Sequence, residues 1–155
     1  MDRQKDAGLH AQIGTARPAM EQVAEALDAF VAAERVPDEV AWRLRVALDE
    51  IVANIVSHTC PASGVRPPFE VWIRSEPGVI AITVTDQGPA FNPLLYPDPD
   101  ITLPLGARQP GGLGITLVKS LMDDVRYERT DRNVLTIRKQ LGPLTGIDEH
   151  PTDGT

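Results

Sequence analysis

Cysteine occurs once, at Cys60, in a sequence of 155 residues. A single thiol closes no intramolecular disulfide, and no group of residues has metal-ligand spacing. Both features point to a reducing cytoplasm. Long hydrophobic runs are missing too: no stretch approaches the ~20 apolar residues that cross a bilayer. The opening segment, MDRQKDAGLHAQ, lacks the apolar core of a secretory signal. Basic residues are outnumbered, 15 Lys and Arg against 22 Asp and Glu, for a net charge of −7. No basic stripe offsets that balance, so direct binding to a nucleic-acid backbone is not expected. An anionic nucleotide ligand would need a divalent cation, backbone N–H donors and a few placed cations.

What remains is ordinary globular material, 42% hydrophobic and 24% charged, long enough for one domain with one core. Residues 1–8 and 142–155 are polar and turn-rich and read as flexible ends, leaving a domain over 9–141. Within it, 9–14 suits a short first strand. Pro18 can open a helix in which Met20, Val23, Ala24, Leu27, Phe30 and Val31 recur at helical spacing. Pro37 interrupts the chain, and Asp38 reads as the N-cap of a second helix running to about His58. There Leu44, Leu48, Ile51 and Ile55 form one apolar stripe. FEVWIRS (69–75) alternates like a strand, Glu76–Gly78 reads as a turn, and VIAITVTD (79–86) is its central partner. Residues 87–111 carry many prolines and glycines and no period, a long loop of the kind that usually serves function. A third helix over about 112–122 precedes strands at 125–129 and 134–141. These elements predict an α+β two-layer sandwich, with helices on one face of a mixed, mostly antiparallel sheet.

Three segments carry chemistry. On the second helix Glu50, Asn54 and His58 stand at i, i+4 and i+8. That row borders the apolar stripe, where a pocket wall could lie. Asn54 offers an oxygen suited to Mg²⁺, and Glu50 a base for a hydroxyl or water near a phosphate. The same row also suits a solvated helix edge. Asp86-Gln87-Gly88 follows the best strand. A carboxylate there can accept from the exocyclic amine of adenine, with Gly88 letting backbone approach the base, although Asp and Gly are also common in turns. Arg108-Gln109-Pro110-Gly111-Gly112-Leu113-Gly114 leads into the third helix. Backbone N–H groups of such a segment can face a phosphate, with Arg108 as a cation. A flexible loop with a glycine-softened helix start has the same composition. No GxxxxGK[ST] P-loop occurs.

ExxxN on a helix, DxGxxF after a strand and GGLG opening a helix, in that order, resemble the N, G1 and G2 boxes of the GHKL ATPase superfamily. Its members, gyrase and the histidine kinases among them, share the Bergerat ATP-binding fold. Within it, ALDEIVANIVSH, VTDQGPAFNP and PGGLGITLVKSLMDDVRYER look most similar to the anti-sigma-factor serine/threonine kinases. The resemblance spans roughly residues 15–140. It implies ATP and Mg²⁺ as cofactors, with Asn54 as the metal ligand and Glu50 as general base. Asp86 would take the adenine amine, and Gly88 would shape the pocket. Gly112, Leu113 and Gly114 would lie at the phosphates beneath a lid over about 92–111. Thr136 matches a family threonine near adenine, and His58 also matches a family position. The implied activity is transfer of the γ-phosphate to a serine of an antagonist protein, in a switch that otherwise holds a sigma factor. Such kinases usually dimerise. The alternative is an ATP-binding regulatory module that controls its partner by contact, without turnover. A histidine-kinase catalytic domain fits less well, because the first helices lack a phosphoacceptor hairpin. An interaction domain without nucleotide would make all three motifs coincidental.

Overall fold

Burial alternates along the strands, and that alternation decides which side of the sheet the helices cover. A computed structural model describes residues 8–59, 67–95 and 112–142, without the side chains of residues 58, 59, 112 and 113. In chain order the elements are β1 (Gly8–Ile13), α1 (Ala19–Glu34), α2 (Asp38–Thr59), β2 (Phe69–Glu76) and β3 (Val79–Asp86). A 3₁₀ turn (Pro93–Leu95), α3 (Gly112–Leu121), β4 (Asp124–Arg129) and β5 (Asn133–Gln140) follow. The sheet order is β1-β2-β3-β5-β4. Every neighbouring pair is antiparallel, so the expected mixture of directions is absent from the described sheet. VIAITVTD is its middle strand. The flexible ends expected over 1–8 and 142–155 fall outside the described residues, except Gly8, which begins β1, and Gly142.

Phe69, Val71 and Ile73 of β2, Ile80, Ile82 and Val84 of β3, and Leu135 and Ile137 of β5 are buried on the helix-facing side. The intervening residues point the other way. On that outer face the His10 ring stacks on Trp72, with centroids 3.7 Å apart, and His10 Nε2 lies 2.8 Å from Glu70 Oε2. Trp72 remains 40% exposed, and Trp42 on α2 is 58% exposed. Among the described residues no helix is long and apolar enough to cross a membrane.

The helices follow their apolar rows. In α1 the buried row is Ala19, Val23, Leu27 and Phe30. Met20, expected in it, is 41% exposed, because a row that starts at Ala19 leaves its neighbour about 100° around the helix. Pro18 precedes the helix, and its carbonyl accepts from Glu21 and Gln22 N–H. Arg35 closes α1 in the left-handed conformation (φ 52°), and Val36 N–H reaches back to Val31 O at 3.1 Å, a Schellman-type end. In α2 the predicted stripe of Leu44, Leu48, Ile51 and Ile55 is buried. Pro37 O accepts from Ala41 N–H at 2.9 Å. The N-cap place therefore falls on Pro37 instead of Asp38, which joins Glu39 in the first turn, where carboxylates favour the helix dipole.

Asp123 fastens the end of α3 to β5. Partial burial alone would push its carboxyl up. The Gln140 N–H at 2.7 Å and the Lys139 ammonium at 3.1 Å outweigh that, and hold it below the usual carboxylate range. A depressed folded-state pKa contributes stability above the unfolded value, lost as pH falls through the folded one. Asp123→Asn should therefore match the wild type in strong acid and fall below it above about pH 4. Urea midpoints recorded from pH 2 to 7 measure this; parallel curves would exclude it.

Candidate functional site

β3 places Asp86 on the same face as Ile80, Ile82 and Val84, at the end of the buried row. Its cross-strand partner on β5 is Asn133, and the two residues are 8% and 6% exposed. A buried carboxylate has to be hydrogen-bonded. Asp86 Oδ1 accepts from Gly88 N–H at 2.9 Å and from Asn133 Nδ2 at 3.0 Å. Both recorded bonds therefore land on Oδ1. Gly88 has a role beyond the one foreseen, since its amide caps the aspartate. Its carbonyl in turn accepts from Arg129 at 2.9 Å.

Beside this pair a pocket opens between α2 and the sheet. Its empty space, open mouth included, is about 450 Å³. Ile51, Ile55, Val84 and Leu135 contribute an apolar surface, Pro89, Phe91 and Pro93 one rim, and Asn54, Asp86, Tyr127 and Asn133 the polar groups. A mostly apolar cleft with a few convergent polar side chains is the ordinary form of a small-molecule site. Asn54 reaches it because it lies on the flank of the buried stripe, next to Ile51 and Ile55. Thus Asn54 and Asp86, far apart in sequence, line one pocket.

Glu50, a turn earlier on α2, does not line this pocket but leans on the start of α3. A Cβ placed on Gly114 would stand 2.6 Å from Glu50 Oε2, nearer than side-chain atoms pack. Any side chain at position 114 would thus oblige the flexible Glu50 carboxylate to shift from this place. The position also suits that charge, since the first turn of a helix favours an anion.

Thr136 does not join the site. It sits on the outer face of β5, its Oγ1 3.2 Å from that of Thr83. Leu135 and Ile137 on either side of it face the core, and period two turns the residue between them away. The side chain beside Asp86 on β5 is Asn133, three positions earlier. Gly112 and Leu113 open α3, but the side chains of Leu113 and His58 lie outside what is described. Arg108, Gly111 and the lid from residue 96 onward lie outside the described residues. Sequence reasoning missed Asn133, Tyr127 and Arg129; Asn133 fell in the gap between the strands expected at 125–129 and 134–141. Pairing the two strands in register would have found Asn133 opposite Asp86.

A family model described as histidine kinase-like ATPase domain matches residues 15–139. The chain belongs to that family. It is thus a GHKL-type ATP-binding domain with the α+β architecture expected of one. Over 125 residues the chain is 30% identical to the serine/threonine-protein kinase BtrW of Bordetella bronchiseptica, covering 76% of this chain and 87% of that protein. Asn54, Asp86, Asn133 and Gly114 all lie inside the matched span.

The Glu50–Gly114 contact makes a direct prediction. Gly114→Ala removes a glycine from the first turn of α3, a gain of at most ~1 kcal/mol, but obliges the Glu50 carboxylate to swing away. The melting temperature should stay at or above that of the wild type, while any reaction depending on Glu50 falls at least tenfold. Thermal melts and turnover assays on the one variant test both halves. Unchanged turnover would mean that the placement of Glu50 does not matter.

Proposed function

We propose that this domain is an ATP- and Mg²⁺-dependent protein-serine kinase that works as an anti-sigma-factor-type switch. It would transfer the γ-phosphate of ATP to a serine of an antagonist protein and bind a sigma factor in its other state. One observation carries the reading: Asn54 and Asp86 meet at a single pocket, with Glu50 held a turn away against Gly114. The serine/threonine kinase name of the relative supports the activity. The order of the three motifs supports the switch, its two protein partners and a homodimer.

In this reading adenine enters the apolar cleft and gives its exocyclic amine to Asp86. The acceptor-only carboxylate welcomes that donor and rejects the carbonyl that guanine carries at the same position. The side-chain donors of Asn54 and Glu50 are oxygens, as Mg²⁺ prefers, and Asn54 would be its protein ligand beside the phosphates. Bound there, the ion would neutralise charge that builds up during transfer. Gly112, Leu113, Gly114 and Arg108 would border the phosphates. Glu50 takes the proton of the incoming serine hydroxyl. The serine Oγ forms a bond to the γ-phosphorus as the bond to the β–γ bridging oxygen breaks, and ADP departs with that electron pair. Most of the rate then comes from positioning and electrostatics.

Three substitutions separate the roles. Asn54→Ala should abolish Mg²⁺-dependent ATP binding in calorimetric titration; full affinity would remove Asn54 from the metal. Glu50→Gln should bind ATP within about twofold of wild type and lower phosphoryl transfer at least 100-fold, read from labelled γ-phosphate on a purified antagonist. Wild-type protein that binds ATP but transfers nothing would leave a regulator acting by contact. Asp86→Asn should weaken the preference for ATP over GTP, measured by competition, and an unchanged ratio would take Asp86 out of the base pocket.

A further inference from the structure

Asn133 has six hydrogen-bond contacts to groups in and beside the pocket wall. Its Oδ1 accepts from the Tyr127 hydroxyl, from Arg129 at 3.1 Å and from Phe91 N–H at 3.4 Å. Its Nδ2 donates to Asp86 Oδ1 at 3.0 Å, to Pro89 O at 3.0 Å and, at the limit, to Gly88 O at 3.5 Å. The orientation of the amide follows from chemistry. A guanidinium and a backbone N–H can only donate, and a carboxylate and two carbonyls can only accept. A flipped amide would face donors with donors and acceptors with acceptors. Asn133 is therefore held in one rotamer and one sense.

We infer that Asn133 is the positioning residue for base recognition: it occupies Asp86 Oδ1, leaves Oδ2 as the oxygen offered to the base, and clamps 88–91 to β5. The inference rests on the proposed reading of Asp86 as the adenine contact. Two features make the residue more than structural filling. The amide holds the one charged group in the buried row, and so sets which carboxylate oxygen faces the pocket. It also bonds the backbone of Gly88, Pro89 and Phe91, and so fixes the wall against which a base would lie. A half-satisfied buried network loses its rigidity together with its bonds. Loss of Asn133 should therefore blunt base selection before it alters phosphate chemistry. Tyr127 and Arg129 act one step further back, by fixing the amide.

The test is a double-mutant cycle on the full-length protein, read as ATP and GTP affinities by calorimetry. Asn133→Ala is expected to weaken ATP about tenfold and GTP less than twofold, with kcat at saturating ATP little changed. In an Asp86→Asn background the same substitution should cost less than twofold further. Equal loss for ATP and GTP, or full additivity with Asp86→Asn, would reduce Asn133 to a structural residue and overturn the inference. So would wild-type ATP affinity in Asn133→Ala. If Asn133→Ala does not fold, Tyr127→Phe decides. It removes one donor to Oδ1 and should lower the ATP-to-GTP ratio; an unchanged ratio overturns the inference. Wild-type protein that binds no ATP would instead refute the reading of the pocket on which all of this stands.

Discussion

α2 must bury one side in the core and present the next to a pocket, and the rest of the molecule is arranged around that double duty. Over its 22 residues Leu44, Leu48, Ile51 and Ile55 close the core against the sheet, while Glu50 and Asn54 sit one step around the helix. Neither row can rotate without the other. A shift of the helix about its axis large enough to move Asn54 out of the pocket would lift Ile51 and Ile55 out of the core. Burial of large aliphatic side chains, at about 1.5–3 kcal/mol each, thus fixes the angle at which the polar groups are presented. The precision of the site comes from hydrophobic packing, and the polar residues inherit it.

The sheet makes a similar bargain at its other wall. β3 and β5 carry apolar residues at every second position, and their buried rows end in Asp86 and Asn133, a polar pair at core depth. Isolated there, either would cost stability. Joined, and tied to Tyr127, Arg129 and the backbone of 88–91, they close a network in which acceptors meet donors. The pocket thus has an apolar wall held by α2 and a polar corner held by hydrogen bonds, two different physical means of rigidity meeting at one cleft.

Much of this was legible in the sequence, for reasons that also explain what was not. The α2 stripe and the β-branched run of β3 are strong periodic signals, and each element lies where its period put it. Asp86 was legible because it ends such a run. Thr136 was misplaced by matching a residue type and overlooking parity: between Leu135 and Ile137 it could not face the helices. Asn133 was hidden because a polar residue after Thr130–Arg132 looks like part of the turn. Its burial depends on a partner 47 positions earlier, a distance at which local composition is silent. The close approach at Gly114 was equally invisible, since it involves Glu50 on another helix. A glycine before a helix suggests phosphate binding in general; only three-dimensional packing reveals a second, steric reason for the same residue.

Both tryptophans of the chain, Trp42 and Trp72, stand at the surface, and neither borders the cleft. The intrinsic fluorescence of the protein therefore reports on its perimeter. One indole looks out from the exposed side of α2 and the other from the open side of the sheet, under an imidazole. Filling the cleft leaves both fluorophores untouched, whereas a macromolecule settling on either face would dry one of them. The molecule carries an indole label on two of its faces, and none at the cleft.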